Sequence, residues 1–568
     1  MRLICFAALA LTASTVLAQG SGGCSGAPCL LPSQFQSSAL FTRIELQYPQ
    51  LFFPGGRTQS QHLGSDLAWF RVYGGPAGAG LASYQGGLWY KNGAEWQRFG
   101  SLDQVDQQFC TGSCLTSDKA TGGFAGNVVL GAPTASGITL SLLTAEQSGS
   151  AIVEYAEQGS SVLAESAAVA IVAGEPAQIV LTGLKADSAY RYRVVFRPQD
   201  STTGVADKES VFHTARAAGK TFTFTVQSDS HMDENSVVRM YHRTLANVLA
   251  GQPDFHVDLG DTFMTEKHYN PLSPTSPPAN SLQQVTDRYL YERNNFSLVS
   301  ASVPLFLANG NHEGEAGWLN TGGSNNLANW ASTTRQKYFP APRPNGFYTG
   351  DNSSGARGAW YAWQWGDALF IVLDPYWNSS RGKGGDGWAM TLGADQYNWL
   401  ETTLSASKAT FKFVFLHSLV GGLDGQMRGG VEAARYFEWG GYDSNGVSRS
   451  FASRRPGWSA PIHELLVQHG VTAVFHGHDH LFVKQELDGI VYQEVPQPSA
   501  LNTNNAATLA RDYHYTSGVS ISSAGHMRIT VSPDQVTAAY VRTWLPEQEN
   551  SQRKNGQIDF QWTFSRKP

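Results

Sequence analysis

A chain of 568 residues, 41% apolar and only 15% charged, is too long for one hydrophobic core and has a globular composition, so three to four domains are expected. A net charge of −6 is small for that length and no basic run is present, which argues against a nucleic-acid binder. The chain opens on Met1-Arg2 and an apolar run from Leu3 to Leu17, closed by the small-residue site Val16-Leu17-Ala18. That run is too short to span a bilayer comfortably and has the form of a secretory signal. Residues 1–18 are therefore expected to be removed, leaving a secreted, periplasmic or extracellular chain. No later run of about 18 apolar residues exists, so no membrane span is expected. Cys5 leaves with the signal. Cys24, Cys29, Cys110 and Cys114 remain, an even number in an exported chain, and disulfides are expected with three pairings open. A zinc site suits them less well, because neither close spacing is Cys-x-x-Cys.

Residues 19–121 are rich in Gly and aromatics, among them Phe52-Phe53-Pro54, Trp69-Phe70, Leu88-Trp89-Tyr90 and Trp96. They read as short strands broken by Gly turns, with the aromatics filling a small β core. Residues 122–216 alternate apolar and polar positions with a period of two, in strands at 138–142, 152–155, 169–172, 178–181 and 190–196. Within them, Leu181-Thr-Gly-Leu184-Lys-Ala-Asp-Ser-Ala-Tyr190-Arg-Tyr192 is similar to fibronectin type III domains, where a Leu and a tyrosine corner lock the edge of a β-sandwich.

From 217 to 545 the pattern changes to apolar strands alternating with helical stretches, the mark of an α/β layered domain. Thr221–Val226 is a strand ending in Asp229-Ser-His231, and a helix with a 3.6-residue apolar stripe follows to Ala250. Asp254–Leu259 ends in Gly260-Asp261. After a Pro/Ser-rich loop and a helix over 282–299, the strand at 303–308 ends in Gly310-Asn311-His312-Glu313. Strands at 368–374 and 411–416 follow, the second ending in His417-Ser418. Helices are expected over 396–406 and 459–469. Val471-Thr-Ala-Val-Phe ends in His476-Gly477-His478-Asp479-His480. Further runs at 490–492, 518–521, 527–531 and 537–542 are expected to close a second sheet, and residues 546–568 to form a tail.

Five strand ends in one domain thus carry Asp229, His231, Asp261, Asn311, His312, His417, His478 and His480. In α/β sheets this edge is where ligands bind. Each residue has an ordinary alternative: Asp229 and Asn311 as turn residues, His231 on the surface, Asp261 as a cap, His417 as a hydrogen-bonded core histidine. The set as a whole does not. Carboxylate, amide oxygen and imidazole suit Fe, Mn, Zn or Co rather than Cu(I), and there are more donors than one ion needs. An aspartate able to bridge makes a two-metal site the natural reading. His242, His256, His268, His463 and His526 lie at no strand tip and are read as structural. Six tryptophans in long loops, Trp318, Trp330, Trp377, Trp388, Trp439 and Trp458, are read as packing rather than as a platform for a base or sugar.

The order Asp-x-His, Gly-Asp, Gly-Asn-His-Glu, strand-terminal His and Gly-His-x-His resembles the calcineurin-like metallophosphoesterase superfamily, and the preceding sandwich resembles its purple-acid-phosphatase-like branch. The resemblance covers about 122–545. It implies a four-layer α/β/β/α sandwich preceded by an all-β domain and a β-rich N-terminal region. It implies that Asp229, His231, Asp261 and His480 hold one metal ion, and Asp261, Asn311, His417 and His478 a second, with Asp261 bridging. His312 is left as the unligated catalytic residue, able to donate to the leaving oxygen. The implied activity is hydrolysis of phosphoric esters by metal-bound hydroxide. Small monoesters are the first expectation, diesters or nucleotides the alternative, and a non-catalytic surface or adhesion protein the alternative of another class. The pattern departs from true purple acid phosphatases. Met264 stands where they carry a ligating tyrosine, and His231 where they carry glycine, so a colourless Mn, Zn or Fe centre is expected.

Overall fold

The structure, a computed structural model, describes residues 124–565 apart from 125, 145–146, 232–235, 267–277, 424 and 501–503, and before them five strands between residues 60 and 99. Those five, Ser60–His62, Ala68–Arg71, Gly80–Tyr84, Gly87–Asn92 and Glu95–Phe99, pair with their sequence neighbours in one antiparallel sheet. They belong to a unit of Met1–Thr121 with Tyr269–Ser276, and all that follows belongs to the unit of Gly122–His268 with Pro277–Pro568. The expected signal segment, the four remaining cysteines and His268 lie outside the described residues.

Residues after 122 begin with the expected β-sandwich. Gly149–Glu157 and Ala189–Pro198 form the centre of one layer, and Gly126–Gly131, Gly137–Thr144 and Ala177–Thr182 form the other. Alternate residues Tyr190, Tyr192, Val194 and Phe196 turn inward to a core with Leu140, Leu142 and Val153, as the period-two pattern demands. The Tyr190 hydroxyl accepts a hydrogen bond from the Lys185 amide at 2.9 Å, which is the geometry of a tyrosine corner. This sandwich is not a free-standing bead. Gly131 pairs with Leu305, so its second layer runs on into the larger sheet beside it. Arg293, fully buried, binds Asn127 at 2.6 Å and the Ser141 carbonyl at 2.7 Å across the seam.

Two sheets then face each other. The first runs, after the three sandwich strands, through Leu305–Leu307, Phe255–Asp258, Phe222–Gln227, Gly525–Val531, Gln535–Arg542 and Ile558–Ser565. The second runs through Thr349–Gly350, Tyr361–Trp365, Ala368–Val372, Phe411–Phe415, Ala473–His476, Ile490–Glu494, Leu481–Leu487 and Val519–Ser522. Between them Phe224, Phe255, Phe306, Trp363, Phe370, Phe413, Phe415 and Phe475 make an aromatic core. Phe306 stacks on Trp363 at 4.0 Å, and Phe224 meets Phe370 edge-on at 5.1 Å. Each fully buried Phe contributes roughly 1.5–3 kcal/mol from area alone. Helices Val238–Ala250 and Leu282–Ser300 cover the outside of the first sheet, and Ala394–Ala406 and Ile462–Gln468 the outside of the second. The result is the α/β/β/α layering. Strands covered on both faces read as unbroken apolar runs, which is why Ala368–Val372 and Ala473–His476 stand out in the sequence.

Three sequence expectations change. The late strands do not close one sheet: Ile490–Glu494 and Val519–Ser522 join the second, whereas Gly525–Val531 and Gln535–Arg542 join the first. Residues after 545 are not merely a tail, since Ile558–Ser565 pairs with Gln535–Arg542 as the edge strand. Leu327–Tyr338 lies inside a stretch around Trp318 and Trp330 read as a long loop, and the strand Tyr361–Trp365 was not expected. The other expected elements are present with ends shifted by a few residues, as frayed termini and competing caps dictate. Among the described residues no helix is long and apolar enough to cross a membrane.

Candidate metal centre

All five strand ends meet. Strands Phe222–Gln227, Phe255–Asp258 and Leu305–Leu307 are parallel neighbours in the first sheet, and Phe411–Phe415 and Ala473–His476 are parallel neighbours in the second. Their C-terminal ends therefore lie along one edge of the two-sheet core, and Asp229, His231, Asp261, Asn311, His417 and His478 are all buried there.

The loops are knitted by backbone bonds. The amides of Asp229 and His231 donate to the carbonyls of Gly260 and Asp261 at 2.9 and 2.8 Å. The Gly477 amide donates to the His417 carbonyl at 2.8 Å, which ties two tips of the second sheet together, and the His478 amide reaches across to Asp229 of the first sheet at 2.8 Å. Close approach needs glycine. A Cβ on Gly310 would lie 2.2 Å from the Asp261 nitrogen, and one on Gly477 would lie 1.9 Å from the Ser228 hydroxyl. Asp229, His231, Asp261, His478 and His480 all have positive φ, between 54° and 84°. Left-handed backbone at a non-glycine residue costs on the order of 1–3 kcal/mol and gathers at functional sites. Five such residues at one edge is a concentration that turn formation alone does not require.

Each aspartate is held by one oxygen and offers the other. Asp229 Oδ2 accepts from the His478 amide at 2.8 Å and Asp261 Oδ1 from the His312 amide at 2.9 Å. The second oxygens face imidazoles. Asp229 Oδ1 lies 3.4 Å from His480 Nε2 and 3.5 Å from His231 Nε2. Asp261 Oδ2 lies 3.0 Å from His417 Nε2, 3.7 Å from His231 Nε2 and 3.8 Å from His312 Nε2. Asp261 thus sits between two groups of donors: Asp229, His231 and His480 on one side, His417 and His478 on the other.

Carbonyl oxygens only accept, so they reveal which ring nitrogens carry hydrogen. His417 Nδ1 faces the Leu259 carbonyl at 3.1 Å and His478 Nε2 faces the Gln426 carbonyl at 2.9 Å. Their other nitrogens, His417 Nε2 and His478 Nδ1, are therefore the lone-pair ends whenever the rings are neutral, and they lie 3.2 Å apart. His231 Nε2 and His480 Nε2 also face each other, at 2.9 Å. Asp229 Oδ1, Asp261 Oδ2 and Asn311 Oδ1 are buried and receive no hydrogen bond from the described residues. A buried cluster of acceptors aimed at one another is unfavourable unless a proton or a cation lies between them. This donor set fits hard-to-borderline transition metal ions.

The titration behaviour has the same origin. Burial opposes charge on Asp261 and Asp229, but His417 and the other imidazoles hold both below the usual carboxylate range. Burial likewise opposes charge on His417, yet Asp261 and Asp229 push it up to about 10. Such a field attracts any cation, metal or proton. His478 goes the other way, lowered by burial and by His417.

His312 is at the open side with His480; their side chains are 22% and 34% exposed, against 0% for His417. Its Nδ1 lies 3.0 Å from Glu266 Oε2. Burial works against its charge, but Asp261 and Glu266 raise it to about 9. Its Nε2 is also close enough to Asp261 and His231 to serve as a ligand, a role the sequence reading did not give it.

Several residues of the site were given no role from the sequence. Glu313 clamps two loops by accepting from the Thr262 and Gly310 amides at 2.6 and 2.9 Å; its place after Asn311-His312 was the available signal. Glu266 lies in an irregular loop with no signal, and Gln426 acts through its carbonyl, which any residue could supply. Of the histidines read as structural, the four among the described residues have structural surroundings. His242 bonds Asn295, His256 bonds Thr225 and His463 bonds Tyr492, while His526 is buried in the first sheet. The loop tryptophans pack: Trp388 and Trp439 are buried, Trp458 stacks on Tyr397 at 3.9 Å, and Trp377 lies under the Arg357 guanidinium at 3.8 Å.

Residues 222–482, which hold every strand tip named above, match the model of the calcineurin-like phosphoesterase family. No curated protein matches the chain. Among solved structures the chain is similar to PhoD, with a TM-score of 0.55 at 15% identity over 78% of this chain and 90% of that one. It is also similar to a purple acid phosphatase from yellow lupin (Lupinus luteus) seeds, with a TM-score of 0.52 at 14% identity over 88% and 80%. At these identities the likeness is one of fold.

Proposed function

Given that residues 222–482 are a calcineurin-like phosphoesterase domain, we propose that the chain is an exported phosphoric ester hydrolase working with two transition metal ions, Fe, Mn or Zn, on small phosphate monoesters. The observation that carries this is the convergence of imidazole nitrogens on Asp261 Oδ2 from both sides, with His231 Nε2 at 3.7 Å and His417 Nε2 at 3.0 Å. Asp229, His231, Asp261 and His480 would hold one ion, and Asp261, Asn311, His417 and His478 the other. Bound there, the cations would lower the pKa of a water toward neutrality and offset charge on the phosphoryl oxygens.

The chain's own residues do the rest. Amides of His478 and His312 orient the two aspartates so that one oxygen of each faces inward. The Leu259 and Gln426 carbonyls fix the tautomers of His417 and His478, the outer-shell role that keeps a ligating nitrogen deprotonated. Buried walls of the two sheets keep bulk water behind the site away, so a substrate enters from the side of His480 and His312. His312 Nδ1, against Glu266, keeps its proton, and Nε2 is the atom able to hand one to a leaving oxygen. Export rests on the N-terminal signal pattern.

The test is phosphate release from a panel of monoesters and diesters, with metal analysis of the same sample. Activity toward monoesters in proportion to metal content is expected. Preference for diesters would move the substrate class, and full activity in exhaustively metal-free protein would overturn the mechanism.

A further inference from the structure

Between the two terminal histidines of the site sits a carboxylate that faces away from them. Asp479 is 1% exposed, and its two neighbours, His478 and His480, have φ of 84° and 61°. Its carboxylate is gripped from two directions. Arg428 Nη1 donates to one oxygen at 2.9 Å; the Gly429 amide and the Tyr515 hydroxyl donate to the other, both at 2.8 Å. Its own amide donates to Glu494 Oε1 at 2.9 Å, and Glu494 Oε2 lies 2.6 Å from His476 Nδ1.

These bonds have a direction. The segment that Asp479 grips, Arg428-Gly429, follows directly on Gln426-Met427, and the Gln426 carbonyl is the partner of His478 Nε2. Arg428 also donates to the His478 carbonyl at 3.3 Å and its guanidinium lies 3.9 Å over the Tyr513 ring. The segment is a tight one, with positive φ at Gly425, Met427 and Gly429. A local turn, in which the Leu423 amide donates to the Arg428 carbonyl at 2.8 Å, shapes the segment, and the Asp479 carboxylate fastens that turn to the His478 strand end. His480 is secured separately, through Ser523 Oγ donating to its carbonyl at 2.8 Å.

We infer that Asp479 is a positioning residue that sets cation affinity on the His478 side of the site by clamping the Gln426–Gly429 segment onto that histidine. The inference rests on the two-metal reading above. It goes beyond it by giving the buried acid between two ligands a function of its own and by making that function one-sided. A ligating imidazole whose other nitrogen loses its fixed acceptor loses orientation and basicity, worth about 10–100-fold in metal affinity.

The experiment is titration of Co²⁺ into the metal-stripped full chain, followed by calorimetry and the visible ligand-field spectrum, for the wild type, Asp479→Asn and Tyr515→Phe. Asparagine is nearly isosteric, but whichever way its amide turns, an N–H meets a donor. Asp479→Asn should weaken one of the two cation affinities by about 10–100-fold and leave the other within about threefold. Tyr515→Phe should weaken the same one by less. Phosphate release from Asp479→Asn should recover at saturating metal with KM unchanged, which a general loosening would not give. Two unchanged affinities, or two equally weakened ones, would overturn the inference. If Asp479→Asn does not fold, Tyr515→Phe decides, and wild-type affinities in it overturn the inference. A wild-type chain that takes up no cation would instead overturn the metal reading, and this inference with it.

Discussion

Gly260→Ala removes no proposed ligand, no charge and no hydrogen bond, yet it should cost the protein its metals. A Cβ built on Gly260 lies 2.1 Å from the Gly310 nitrogen and 2.7 Å from Gly310 Cα. Both are backbone atoms that cannot rotate away, and ordinary contact would need about 1.3 Å more. The two loops that meet at this point carry Asp261 and Asn311, so relief of the clash moves one donor away from the other by about that distance. The φ of +96° at Gly260 adds strain for any side chain, roughly 1–3 kcal/mol. A misplacement near 1 Å is worth about 10²-fold in turnover. Gly260→Ala should therefore lose about 1–3 kcal/mol of stability in the metal-free form, lose roughly tenfold or more in metal affinity, and keep about 1% or less of its activity. Denaturant unfolding, Co²⁺ titration and phosphate release on one preparation test the three together, with circular dichroism to check the fold. Wild-type metal affinity and turnover in a folded Gly260→Ala protein would show that the glycine contact does not set the geometry.

His312→Ala should keep both metals and lose about 10²–10⁴-fold in kcat, a loss that shrinks for a nitrophenolate leaving group, which needs no proton; loss of a metal from this variant would make His312 a ligand, as its approach to Asp261 permits. Metal-free protein should lose stability as pH rises. His312 and His417 are raised from 6.5 to about 9 and about 10, so their contribution is complete below pH 6.5 and fades as pH climbs through those values. Saturating metal should flatten that slope by replacing the protons, and a metal-free protein equally stable at pH 6 and pH 9.5 would contradict the picture. The iron-loaded protein should be colourless, because Met264 stands where a ligating tyrosine would be; a visible charge-transfer band bleached by reduction would identify another tyrosine ligand.

The chain itself determined the strands and their tips. Strands covered on both faces must be apolar throughout, so each core strand was visible as a run, and the polar residues that ended it, Asp229, Asp261, Asn311, His417 and His478, were conspicuous by contrast. The tyrosine corner at Tyr190 was legible for a like reason, since it is local: acceptor and donor are five residues apart. What depended on distant parts of the chain was not legible. Whether the strand at 490–494 or the one at 525–531 joins a given sheet depends on packing choices between two apolar faces of equal quality. The edge strand Ile558–Ser565 carries an alternation too weak to distinguish from a tail. In the site, Asp479 and Glu313 were in view as letters of the motifs, but their bonds run to Arg428, Tyr515, Thr262 and Gly310, far away in sequence. The Gln426 carbonyl left no trace at all, because a backbone acceptor is the same for every residue. Side-chain chemistry at strand ends is written in the sequence; the outer contacts that aim it exist only once two sheets have brought remote loops together.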